Sequence, residues 1–158
     1  MESSHPTFST SSIPSFHPIS EKLSESNFLL WRQQVQPVIK VHKLQRFVVN
    51  PVIPIQFLTE DDRAEGNENL AYSTWEQQDQ VLLSWLQSTL SSSILSRLIG
   101  CEHSYEVWDQ LHDYFQKQTR AKARQLRTKL RTTTLEQKSM SEFLLRIKCL
   151  VDALSTSH

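Results

Sequence analysis

Apolar residues recur at steps of three and four along most of this chain, but not along its first twenty residues. In residues 1–20, Phe8, Ile13, Phe16 and Ile19 follow no period and sit among serines and prolines, so residues 1–20 are read as a disordered Ser/Pro-rich arm. From Glu25 the pattern becomes helical, with Ser24 or Ser26 available as a cap and Phe28, Trp31, Val35, Val38 and Ile39 on one face. Pro37 has no amide hydrogen, which predicts a kink or break near Gln33–Pro37. A short helical piece around Lys43–Val48 is followed by Pro51 and Pro54, which force an extended linker through Leu58.

Thr59 followed by Glu60, Asp61 and Asp62 marks a helix start, with acids at the positive end of the dipole. A long helix is expected from Glu68 to Leu90 on the stripe Trp75, Leu82, Trp85, Leu86 and Leu90. Serines 91–93 then open a short helix that Gly100 ends. Three more helices are expected. One starts at Ser104, with Trp108, Leu111 and Phe115 inward. One spans Thr119–Arg131, with Ala123, Leu126 and Leu130 on one face. One starts at Ser139, where Ser139-x-x-Glu142 fits a capping box. The last has a wide apolar face formed by Met140, Phe143, Leu144, Ile147, Leu150, Val151 and Leu154. The fold class is therefore all-α, and two glycines in 158 residues agree, since an all-β chain needs many turns with φ > 0.

Charge adds an asymmetry that the zero net charge hides. Residues 1–116 hold 7 Lys/Arg and 14 Asp/Glu, while residues 117–158 hold 10 and 3, giving −7 and +7. Lys117, Arg120, Lys122, Arg124, Arg127, Lys129 and Arg131 run without an acid among them. Arg120, Arg124, Arg127 and Arg131 share one helix face, about 100° from the Ala123/Leu126/Leu130 stripe. Three readings of this stripe stand open: a solvated face, a contact to an acidic surface of another subunit, and a contact to the phosphate backbone of RNA. No aromatic residue is interleaved, so base stacking is not expected, and any RNA contact would be salt-sensitive.

Little in the chain points to catalysis. There is no GxSxG, no glycine-rich phosphate loop and no metal-ligand spacing, so neither an enzyme nor a cofactor is expected. Asp109, His112 and Asp113 lie close together on a helix, where a solvated face is the simpler reading. Cys101 and Cys149 read as reduced thiols, and no apolar run reaches the length of a membrane span or signal peptide, so a cytoplasmic protein is expected.

Several segments together resemble a known family. Leu23-Ser24-Glu25-Ser26-Asn27-Phe28-Leu29-Leu30-Trp31 is similar to the L-x-x-x-N-[YF]-x-x-W opening of copia-type retrotransposon Gag polyproteins of plants. Trp75-x-x-x-Asp79, the segment Ser104–Leu111 containing Trp108, with Tyr114 after it, and Leu126-x-x-x-Leu130 followed by Ser139–Phe143 with Lys148 and Asp152 match later motifs in the family's order. The resemblance covers residues 20–154. It implies a capsid-like helical lobe over 21–134 and the first helix of an incomplete second lobe over 135–158. It also implies a motif core of Asn27, Phe28, Trp31, Trp75, Trp85, Trp108, Leu111, Tyr114, Leu126, Leu130 and Phe143, and assembly with itself or other Gag chains around RNA. No CCHC zinc knuckle is present, and Lys43-Leu44-Gln45 stands where the family usually has a turn glycine, so a truncated Gag or a host-recruited Gag remnant is the expected product.

Overall fold

The structure is a computed structural model that describes residues 15–156. It forms two compact units, divided after His112. Among the described residues the secondary structure is helical, apart from one isolated bridge between Leu23 and Leu90.

The first unit begins with a segment that docks on the core. Leu23 is fully buried, its N–H donates to Thr89 O at 2.8 Å, and its carbonyl accepts from Ser91 N at 3.0 Å. The turn leading into α1 (Phe28–Val41) is tied by Asn27, whose Oδ1 accepts from Ser24 N (2.7 Å) and whose Nδ2 donates to Lys22 O (3.0 Å). Asn27 therefore fixes the chain before the helix with its side chain, and neither Ser24 nor Ser26 caps it. Helix α1 buries Trp31, Val35 and Ile39 and runs through Pro37 without the expected break. The missing amide costs one hydrogen bond, but Val35 and Ile39 hold the helix to the core on both sides of the proline.

Helix α1 ends in a Schellman arrangement, with Leu44 N bonded to Ile39 O at 2.9 Å and Lys43 N to Lys40 O at 3.0 Å. Lys43 takes φ 57°, the left-handed conformation that the glycine of the family pattern would adopt without strain. A single turn, α2 (Gln45–Val48), and an extended stretch with Pro51 and Pro54 follow.

Helix α3 (Glu60–Glu65) starts as expected on Thr59, whose hydroxyl accepts from Asp62 N at 3.0 Å. Helix α4 (Leu70–Ser88) starts on Asn69, whose Oδ1 accepts from Ala71 N. Its inner face holds Trp75, Leu82, Leu83, Trp85 and Leu86, together with one acid, Asp79. Helix α5 (Ser92–Leu95) and a 3-10 turn (Ser96–Leu98) lead to α6 (Ser104–Ser155).

Two expectations need correction here. Helix α6 is one continuous helix of 52 residues, not three. Neither Gln116–Gln118 nor Thr132–Lys138 contains a glycine or proline to stop it, and in the second segment Thr132 Oγ1 bonds back to Thr128 O and Thr134 Oγ1 to Leu130 O. The capping-box serine Ser139 is therefore interior to a helix. The disordered arm also reaches too far in the sequence reading. Phe16 stacks on Trp85 (centroids 4.9 Å, 20°), and Trp85 Nε1 donates to His17 O at 3.3 Å. An aromatic residue that finds a flat partner holds a short segment that shows no period of its own. The rest of the arm, residues 1–14, lies outside the described residues.

Candidate interaction surface

The residues singled out by sequence fall into two groups. In the first unit they build the core. Trp31 is buried, stands 6.0 Å from Trp108 and donates from Nε1 to Thr89 Oγ1 at 3.0 Å. Phe28 meets His112 edge-on at 5.2 Å, and Trp75 lies between Phe47 and His103 at 6.2 and 5.3 Å. Trp85, Trp108 and Leu111 are buried. Asn27 and Trp31 thus act on the fold, because their polar side-chain atoms are spent on backbone groups and on Thr89 Oγ1.

A polar knot inside this core was not legible as such in the sequence. The Asp79 side chain is fully buried and accepts Ser104 N at 3.0 Å on Oδ1 and His103 Nδ1 at 2.8 Å on Oδ2. Ser104 Oγ donates to the Asp79 carbonyl at 3.0 Å, and Gln80 bridges from Asp79 Oδ2 to Glu102 O. Glu106 Oε2 accepts the amides of Glu102 and His103. Asp79 and Glu106 together hold the amides at the start of α6, where a carboxylate also meets the positive end of the helix dipole. His103 orients the knot through its contact with Asp79. The available signal was Asp79 itself, an acid at helical spacing on the apolar stripe Trp75, Leu82 and Leu86. The serine of this Asp, His and Ser group is turned onto a backbone carbonyl and away from the imidazole, so the group is not arranged as a nucleophile and its base.

His112 gives this unit a pH dependence. Burial pushes the imidazole below its ordinary value, with Arg32 acting in the same direction, against the opposing pull of Asp109 and of the Trp108 carbonyl, which Nδ1 meets at 2.8 Å. A base whose folded pKa is lowered leaves stability complete above about pH 6.5 and lost as pH falls below it, because the unfolded chain takes up the proton first. Thermal melts at pH 7.5 and 5.5 should therefore show a larger drop in Tm for the native chain than for His112→Gln. Equal drops would remove His112 from the account.

The second unit is the part of α6 from Asp113 onward. Phe115 is buried, Tyr114 half-buried and edge-on to it at 5.0 Å, and Lys117 pairs with Asp113 at 2.8 Å. Arg120, Arg124, Arg127 and Arg131 are exposed on one face with no ion pair among the described residues. Leu126, Leu130 and Phe143, expected to face inward, are 61%, 67% and 61% exposed. One helix is the only element among the described residues of this unit, so no second element there covers the stripe. Among the described residues no cluster of three or more His, Cys, Asp or Glu could hold a metal, and no helix is long and apolar enough to cross a membrane.

Among the described residues the chain is thus a set of helices with aromatic anchors, a buried aspartate knot and one helix with exposed basic and apolar faces. Residues 41–157 match the family described as the gag-polypeptide of LTR copia-type, and the chain belongs to that family. It is also similar to the Retrovirus-related Pol polyprotein from transposon RE1 of Arabidopsis thaliana, 23% identical over 124 residues, or 78% of this chain. The chain spans 8% of the length of that relative. No solved structure matches the chain.

Proposed function

We propose that this copia-type Gag region is a non-catalytic, capsid-type module that works by associating with further copies of itself. The segregation of charge carries this reading. The basic stripe Arg120, Arg124, Arg127 and Arg131 is exposed and without ion pairs among the described residues, while Glu60, Asp61, Glu65 and Glu68 are exposed in the first unit. A stripe on one copy meeting the acidic surface of the next makes a head-to-tail contact that repeats. Arginine suits such a contact because its guanidinium pairs with carboxylates in a bidentate fork.

Sedimentation velocity at low and high salt tests this. Association should weaken at least tenfold as ionic strength rises and exposed charges are screened. Changing all four arginines to glutamine should produce the same loss at low salt. A chain that stays monomeric at high concentration and low salt would overturn the reading.

The same unpaired arginines support a second reading, contact with RNA phosphates. On single-stranded RNA the quadruple glutamine variant should then lower the slope of log K against log salt by up to about 3, given ~0.7 per phosphate contact. An unchanged slope would exclude the stripe from RNA binding.

A further inference from the structure

Helix α6 carries a longer pattern than its arginines. From Ala123, steps alternating between three and four pass through Leu126 and Leu130, then Thr133 and Gln137, then Met140, Leu144, Ile147, Val151 and Leu154. Eight of these ten positions are apolar, and the period of 3.5 holds over four heptads. That period keeps a seam on one side of a supercoiled helix and belongs to helices that pair with another helix. The large apolar residues of the seam are between 41% and 73% exposed. From these observations we infer that the seam Leu126–Leu154 is covered by the same seam of a second copy of this chain, running antiparallel. This rests on the self-association reading above and adds an interface of a different kind to it.

Charge selects the direction. Residues 117–138 hold eight basic residues and one acid, and residues 139–158 hold two of each. A parallel pair sets one +7 segment beside the other, with Arg120 and Arg127 flanking one side of the seam and Lys122 and Lys129 the other. An antiparallel pair sets the +7 segment beside a neutral one that carries Glu142 and Asp152. Like charges facing one another are destabilising, so the antiparallel arrangement wins.

The seam is also self-complementary in that direction. Ala123 lies opposite Leu154, Leu126 opposite Val151, Leu130 opposite Ile147, Thr133 opposite Leu144 and Gln137 opposite Met140. The two copies of Gln137 fall in adjacent layers on either side of the two-fold axis, where their amides can bond to each other. A single polar seam residue of this sort fixes register and direction at some cost in stability. The interface is isologous and closes on a dimer, whereas the stripe-to-acid contact is heterologous and extends. An assembly that grows from dimers needs both kinds.

The test uses the full chain. In sedimentation equilibrium, Leu144→Asp should raise the dimer dissociation constant at least tenfold, while Leu135→Asp, exposed but off the seam, should leave it within twofold. Tryptophan fluorescence of both variants should match the parent, since all four tryptophans lie in the first unit and neither substituted residue does. Direction is read with a spin label on exposed Cys149 in a Cys101→Ser background. Antiparallel pairing places Cys149 opposite residue 128, about 32 Å along the axis from its counterpart at 1.5 Å per residue, whereas a parallel pair holds the labels within about 20 Å, the width of two helices. Equal effects of the two leucine variants, or a short label distance, would overturn the proposal. Association that survives Leu144→Asp but is lost on changing the four arginines would overturn the seam and leave self-association standing. A monomer under every condition would overturn both.

Discussion

Asp79→Ala should destabilise the first unit by about 3–5 kcal/mol, the range for removing one partner from a buried charged network. The Asp79 carboxylate is fully buried and accepts from the buried Ser104 amide and the His103 imidazole. Hydrogen bonds to a charged acceptor contribute about 1.5–3 kcal/mol each, and a buried donor left without an acceptor costs about 1–3 kcal/mol. Loss on this scale is a large fraction of the 5–15 kcal/mol typical of a folded domain. Asp79→Asn keeps the shape and one acceptor oxygen, so it should lose roughly half as much. Urea unfolding followed by tryptophan fluorescence checks the pair. Near-equal, small losses for both would mean that Ser104 finds another partner and that Asp79 does not anchor α6.

The Asp79 knot also shows where sequence reading stops. The acid and its place on an apolar stripe are visible in Trp75-x-x-x-Asp79, and Ser104 stands at the expected start of a helix. Their meeting is not visible, because the two lie 25 positions apart and only the packing of α4 against the start of α6 brings them to 3.0 Å. The same holds for His103. A lone histidine near a helix end carries no local signal of the carboxylate it faces.

Trp31→Ala should cost a similar 3–5 kcal/mol, the range for a fully buried aromatic. Trp31 is 1% exposed, stacks near Phe28 and Trp108 at 6.0 Å each, and donates to Thr89 Oγ1. It therefore links α1, the bridge of Leu23 to Leu90 and the start of α6 through one side chain. Thr89 keeps a bond after the change, since its hydroxyl donates to Leu86 O at 2.6 Å. Most of the loss is then cavity and lost contact, and Trp31→Phe, which refills most of the space, should cost about 1–2 kcal/mol. Thermal and urea midpoints of the two variants separate these contributions. Equal losses would assign the effect to the indole hydrogen bond.

The sequence by itself determined the helical class, the caps at Thr59 and the aromatic anchors of the first unit. Those features follow from local spacing and turn chemistry, which act over a few residues. Tertiary structure decided two other things. It carried α1 through Pro37, because Val35 and Ile39 are buried on both sides. It docked Phe16 on Trp85, a contact with no periodic signature. The continuity of α6 belongs with the sequence instead, since its interior has no glycine or proline to stop it. The physical reason is the same in both tertiary cases. A hydrophobic period fixes which face of a segment is apolar, but what meets that face, and whether a weak breaker yields, depends on partners distant in sequence. On α6 the apolar face is set by the period of the sequence, and among the described residues of its unit no second element meets that face.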